Sequence, residues 1–391
     1  MVQPVNTRGT ILVLHFVGQM PLAGIAWQAM HYLLGLKELG FEVWYIEDGG
    51  ANPYDPRAAS VMMECDYNVA YLRRAMERHG LGGRWAYWDA INDQWHGLPR
   101  EQVRRLYGEA DGLINLCGAT RLRDEHLACP VRILIDTDPV YEQIKYARAD
   151  ANARAYIDAH THFFSYGENL GAPDCPVPLS GITWQPTRPP VLPALWPEPR
   201  TVPRCFTTIG TWENRGKDID FGGSRYVWSK HPNFLRFLDL PRSRPQTCFE
   251  LAMAPPDAEI RCKVAGSGWQ LVDPGPISAG MAPYRDFIAG SRGEFTVAKD
   301  IYVRPNSGWF SDRSVCYLAA GRPVVTMATG FSKFYPVGRG LFEYSSADEA
   351  VGALDAIAAD YLLHSRAARE LAQEHFAAER VLDGMMAAAG L

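Results

Sequence analysis

No two cysteines of this chain stand in C-x-x-C spacing: Cys65, Cys117, Cys129, Cys175, Cys205, Cys248, Cys262 and Cys316 are scattered through 391 residues. The scatter argues against a zinc ribbon or a dithiol redox motif, so no metal is expected and most of the eight are expected to be reduced, buried, small apolar residues. No apolar run reaches the roughly 18 residues of a membrane span. Met1 to Thr10 lacks a cationic start followed by an apolar core of signal length, so the expectation is a cytoplasmic chain. Lysine and arginine do not cluster, and a formal net charge of −5 gives no overall attraction to phosphate backbones. On that ground no nucleic-acid partner is expected. Internal repeats and low-complexity tracts are also missing.

What is present is a length suited to two domains of about 100–200 residues each. Thr10 to Phe16 is a short apolar run of the kind that forms a buried parallel strand, Ile25 to Leu39 has helical spacing closed by Gly40, and Phe41 to Ile46 returns as a strand. Gly112 to Gly118, Val131 to Asp136 and His162 to Tyr166 repeat the pattern of a strand ending in a polar loop. The stretch from about Asn52 to Arg105 is expected to be helical or irregular at the same rim. A proline-rich segment, 189–204, deprives helix and sheet of donors and reads as a linker between a domain at 1–188 and a second at 205–370. In the second domain, strands are expected at Cys205 to Gly210, Thr247 to Met253 and Trp269 to Val272, with a helix at Ser229 to Leu238. An amphipathic helix from about Ser365 to Ala388 closes the chain, with residues 371–391 crossing back to the first domain, covering the second sheet or forming a homodimer contact.

The densest signal is Gly308-Trp309-Phe310-Ser311-Asp312-Arg313-Ser314, followed by Val315 to Ala320 and then Gly321-Arg322-Pro323-Val324-Val325. It reads as a tight loop, a helix opened by small polar residues, a glycine stop and a buried strand. Such a loop aims unpaired N–H groups and the positive helix end at an anion, although an αβ unit without any ligand has the same outline. Together with the helix near Tyr284 to Ile288, the Gly340-Leu341-Phe342 turn and the helix starting near Ser346, this run resembles the nucleotide-sugar half of a GT-B glycosyltransferase. The resemblance implies an α/β protein of two Rossmann-like parallel-sheet domains facing a central cleft. It also implies a nucleotide-sugar donor on the second domain, a small-molecule or glycan acceptor on the first, and no further cofactor.

Candidate residues follow. For the donor they are Thr211 and Lys217 after the first strand of the second domain, Glu294 on the loop before Lys299, Lys299 itself, and Ser311, Asp312, Arg313 and Ser314 at the helix opening, with Arg313 and Ser314 foremost. Cations and hydroxyls there pair with phosphate oxygens. For the base that takes the acceptor proton, the first domain offers His15, Asp136 and Asp138; His15 also reads as a core histidine, and either aspartate also reads as a helix cap. The loop after the first strand carries Gln19 and Met20 where many family members have a catalytic histidine. Gly308 and Cys316 stand near the positions where retaining members carry two glutamates, which favours an inverting, metal-independent displacement. Bacterial natural-product, polysaccharide and protein glycosyltransferases fit equally. A sugar-nucleotide epimerase, or a silent sugar-nucleotide-binding partner, is the alternative.

Overall fold

The computed structural model of the chain describes residues 7–198, 201–214, 216–255 and 257–391. Two parallel sheets face each other. The first is built from β1 (Thr10–Leu14), β2 (Glu42–Glu47), β3 (Trp85–Asp89), β4 (Gln94–Gly97), β5 (Gly112–Leu116), β6 (Val131–Asp136), β7 (His162–Ser165) and β8 (Gln185–Pro186), in the order β8-β7-β6-β5-β1-β2-β3-β4. Only the β3–β4 hairpin is antiparallel. The second holds β9 (Cys205–Ile209), β10 (Cys248–Ala252), β11 (Gln270–Leu271), β12 (Gly293–Thr296), β13 (Val324–Met327) and β14 (Leu341–Tyr344), in the order β11-β10-β9-β12-β13-β14. In both sheets the first strand in sequence is central, so order reverses beside it. Crevices at such reversals, outside the carboxyl ends of the strands, are where open α/β sheets bind ligands.

Ile11, Leu12, Val13 and Leu14 are all fully buried, as a strand covered on both faces requires. Helix α1 (Ala23–Glu38) covers one face of the first sheet and meets the second domain, where the Trp27 indole N–H donates to the Met281 carbonyl of α2 (Met281–Ala289) at 2.9 Å. The segment expected to be helical or irregular holds the helix Asp66–Arg78 and also contributes β3 and β4. Its aromatic run Trp85-Ala86-Tyr87-Trp88 has the β preference that outweighed the surrounding polar composition.

The closing helix is two helices. Between α5 (Tyr361–His375) and α6 (Ala378–Ala388), Phe376 turns inward, fully buried against Phe310 and Tyr335, and the adjoining backbone pairs with Val191. Helix α6 then crosses to α1, where Leu382 and Ala378 approach Gly35 so closely that a side chain there would overlap them. A glycine inside a helix is tolerated for that contact. No helix among the described residues is long and apolar enough to cross a membrane.

One pair departs from the expected reduced cysteines. Cys205 and Cys248 are register partners on β9 and β10 and form a disulfide with their Cα atoms 4.4 Å apart, because parallel pairing places both side chains on one face. The other six are free.

Candidate active site

The second-domain side of the cleft is organised by helix α3 (Asp312–Ala319), which follows the Trp309 loop. Ser311 occupies its N-cap with extended backbone but no side-chain cap, so the opening amides are not satisfied by the cap residue. Gly308, at φ 80°, makes the turn before it and lies so close to the Asn169 backbone that a Cβ would overlap it. Trp309 stacks on Tyr302 with centroids 4.3 Å apart and donates its indole N–H to the Thr137 carbonyl of the first domain at 2.9 Å. The loop therefore also fastens the two domains across the cleft.

Arg313 points into the second domain instead of standing free. Its Nε donates to Glu294 Oε1, Nη1 to the Ile209 carbonyl at 3.0 Å and Nη2 to Thr296 Oγ1 at 2.9 Å. Glu294 corrects the expectation of a loop carboxylate: it lies within central strand β12, fully buried, and its charge is committed to Arg313. Ser314 is buried with an unpartnered Oγ, and Thr211 and Lys217 are exposed on the loops after β9. Lys217 lies over the Trp228 ring at 4.8 Å. Asp312 does not turn toward the helix-end cations. It takes a hydrogen bond from the Tyr166 hydroxyl of the first domain at 3.2 Å, and burial raises its pKa to about 6.

A residue that the sequence did not single out is the most informative. Lys230 is only 7 % exposed, yet its ammonium makes no hydrogen bond or ion pair among the described residues. Burial, and next the like charge of Arg313, pull its pKa well below the usual lysine value. A Cβ placed on Gly210 would lie 3.3 Å from Arg313 Nη1 and 3.8 Å from Lys230 Nζ, so the bare glycine keeps a space open between two cations. Ser229-Lys230-His231 reads as helix surface in sequence. Its one available signal is Pro232, which sets the helix start at His231 and leaves Lys230 on the preceding turn.

Lys299 completes the cationic set. Its Nζ lies 3.0 Å from Asp138 Oδ1, 3.0 Å from the Tyr302 hydroxyl and 3.9 Å from the Trp228 ring centroid. Burial lowers the Lys299 pKa, while Asp138 opposes that shift. Burial likewise opposes charge on Asp138, but the Lys299 ammonium and the Tyr302 hydroxyl prevail and hold it below the usual carboxylate range. Asp138 thus reaches across the cleft. Asp136 does not: Gln143 and Ser165 donate to its Oδ2 at 2.6 and 3.0 Å beneath the helix Tyr141–Ala147, and burial raises its pKa to about 7.

The first-domain crevice is lined by His15, Gln19, Glu47, Gly49, Tyr87 and Trp88. His15 is buried with Nε2 3.0 Å from Gln28 Oε1, and burial lowers its pKa to about 3, so it is neutral at physiological pH. Glu47, at the end of β2, receives the Gly18 N–H at 2.7 Å, the Gln19 N–H and the Tyr45 hydroxyl at 2.8 Å. This carboxylate shapes the loop after β1, where the sequence offered no histidine.

The geometry is therefore two strand-end crevices closed on one cation-rich centre. Residues 244–388 match the family model described as glycosyl transferase-like. The chain has the GT-B fold, and its second domain is similar to glycosyl transferase-like proteins. An alpha-glucosyltransferase in complex with UDP-glucose and DNA containing an abasic site shares the fold with a TM-score of 0.59 and 11 % identity, over 98 % of this chain and all of that one. Sucrose-phosphate synthase from Thermosynechococcus elongatus gives 0.54 at 13 % identity, over 97 % and 98 % of the two chains. Anabaena Alr3699/HepE in complex with UDP-glucose gives 0.53 at 12 %, over 98 % and 99 %. No curated protein matches the sequence.

These likenesses correct one expectation about the chain. Net charge does not exclude a nucleic-acid partner, because an alpha-glucosyltransferase of this fold stands in complex with DNA. The inference fails because phosphate backbones respond to the local potential of a groove, which a net sum over the chain averages away.

Proposed function

We propose that this protein transfers a sugar from a nucleotide-sugar donor to an acceptor hydroxyl, in natural-product or glycan biosynthesis. The donor diphosphate lies among Lys230, Lys299 and the amides that open α3, with Ser311 beside them. Lys230 carries this reading: its side chain is buried and its ammonium makes no hydrogen bond or ion pair among the described residues, so a charge held without a touching partner is costly and a diphosphate supplies one. Cations and a helix end can stabilise the leaving diphosphate without a metal. We place the reaction in the cytoplasm: six of the eight cysteines are free, and the one disulfide joins Cys205 and Cys248, which strand register already holds side by side.

In this proposal Asp138 is the base. The acceptor oxygen attacks the anomeric carbon as its bond to the donor phosphate oxygen breaks. The hydroxyl proton passes to Asp138, and the bonding electron pair leaves with the diphosphate. Lys299 turns from Asp138 to the diphosphate as the donor binds, which frees the carboxylate for the acceptor. His15, neutral in the crevice, orients the acceptor. The outcome is inversion. Retention is the second reading, favoured by the likeness to an alpha-glucosyltransferase in complex with UDP-glucose.

The test is thermal stabilisation by a panel of nucleotides and nucleotide sugars, followed by nuclear magnetic resonance of the product's anomeric proton with DNA, sugar phosphates and small alcohols as acceptors. Stabilisation by one nucleotide diphosphate and its sugar conjugate, lost in Lys230→Ala, is expected. A flat response across the panel overturns the donor site, and binding without transfer to any acceptor supports a silent partner protein.

A further inference from the structure

Three side chains on the rim of the first domain, remote from one another in sequence, converge outside the centre described above. Cys65 Sγ lies 3.5 Å from Asp89 Oδ2 and 3.6 Å from His96 Nε2, across separations of 24 and 31 residues. All three ligand atoms lie within 4.8 Å of one another. A tetrahedral zinc ion with Zn–S of about 2.3 Å and Zn–N or Zn–O of about 2.0–2.1 Å separates sulfur from either neighbour by about 3.5 Å. The two sulfur distances match those edges.

The fold prepares this arrangement. Cys65 is the N-cap residue of the helix Asp66–Arg78, which fixes its place beside the β3–β4 hairpin. Asp89 ends β3, and His96 on β4 pairs with Tyr87 in the hairpin register, so Tyr87, Asp89 and His96 share one face. Asp89 is 3 % exposed and has no cationic partner among the described residues. Its oxygens are oriented instead by the Asn92 side chain at 2.8 Å and the Ile91 and Asn92 N–H groups at 3.0 and 3.3 Å, the kind of support that fixes a ligating carboxylate. The other acid–histidine cluster of the same domain differs: Asp48 there is already neutralised by Arg123 and contacts His126.

We propose that Cys65, Asp89 and His96 bind one zinc ion, with the fourth position taken by water. The ion displaces the Cys65 proton, which passes to solvent, and ties the helix Asp66–Arg78 to the β3–β4 hairpin. That hairpin carries Tyr87 and Trp88, which line the first-domain crevice. Local spacing could not show the site, because no two of its ligands share a short motif.

The full chain, stripped by chelator and titrated with zinc against a chromophoric competitor, is expected to take up roughly one equivalent. Cobalt in its place should give a thiolate-to-metal absorption band. Cys65→Ser should abolish that band, and His96→Gln should weaken zinc by more than the roughly 10–100-fold typical of losing a supporting partner. Asn92→Ala, at an exposed position, should fall within that range. Failure to bind zinc, or binding unchanged in both His96→Gln and Asn92→Ala, overturns the proposal. His96 is only half-buried, so its variant remains informative if Cys65→Ser does not fold.

Discussion

Arg313 and Lys230 lie on either side of the same glycine, yet the protein treats their charges in opposite ways. Arg313 is answered from within, by Glu294, a carbonyl and a threonine. Lys230 makes no hydrogen bond or ion pair among the described residues: burial and the charges of Arg313 and Lys299 disfavour its ammonium, and Glu294 and Asp138 favour it without touching it. A paired internal charge belongs to the scaffold. An unpaired one stores a demand that a ligand can meet, and under the proposed function this difference, more than nearness to the helix end, separates structural from donor-binding cations.

The largest effect should come from removing the scaffold member. Arg313→Ala leaves Glu294 charged and buried at the centre of β12, and breaking such a pair costs about 3–5 kcal/mol. Urea unfolding should show this, and the double variant Arg313→Met with Glu294→Met should recover much of the loss. If Arg313→Ala were stable and merely weak for the donor, Arg313 would join Lys230 as a ligand. Lys230→Ala should do the reverse, retaining or slightly raising stability while weakening diphosphate binding by about 1.5–3 kcal/mol, the usual worth of a hydrogen bond to a charged group. Calorimetric titration with the nucleotide diphosphate checks it; unchanged affinity would remove the residue from the site.

The two aspartates of the first domain offer a parallel contrast. Asp138 faces the cations across the cleft, whereas Asp136 is held beneath a helix by Gln143 and Ser165. Asp138→Asn should therefore lower turnover by about 10²–10⁴-fold with donor affinity kept, the range for losing a general base. Asp136→Asn should leave turnover near that of the parent. Equal turnover in both variants would sink the assignment.

How far these distinctions were legible in the sequence depends on the type of signal. Strand runs such as Ile11 to Leu14 and the loop, helix, Gly-Arg-Pro order around Trp309 announce the two sheets and the crevice, because buried parallel strands and uncapped helix ends leave local marks. The partner of a charge leaves none. Nothing near Arg313 names Glu294, which reads as a loop residue until pairing with β9 and β13 makes it central. Lys230 was missed for the same reason: its isolation is a property of what three distant segments fail to supply. Asp136-Thr137-Asp138 shows the intermediate case. The sequence places both acids at a strand end, and only the Lys299 and Gln143 contacts tell them apart.

The smallest expected effect, on the pH dependence of stability, sharpens that last contrast. Burial raises the folded pKa of Asp136 from 3.8 to about 7, against the opposing hydrogen bonds of Gln143 and Ser165. The native state then holds a proton that the unfolded chain has already released, so this group's contribution is complete below about pH 4 and is lost as pH rises through about 7. Glu47 and Glu168, also raised to about 7 by burial, and Asp312, raised to about 6, act in the same direction. Asp138, whose pKa is lowered despite its burial, acts oppositely and loses its contribution only as pH falls below the ordinary carboxylate range. Asp136→Asn removes one of the four falling contributions, so its midpoint of thermal unfolding should vary less than the parent's between pH 4 and pH 7 and exceed it relatively at the upper end. Asp138→Asn should leave that window unchanged and blunt only the loss at lower pH. An identical pH profile in the parent and Asp136→Asn would mean that the carboxyl is solvated when charged, and the distinction between the two acids would then rest on the Lys299 contact alone.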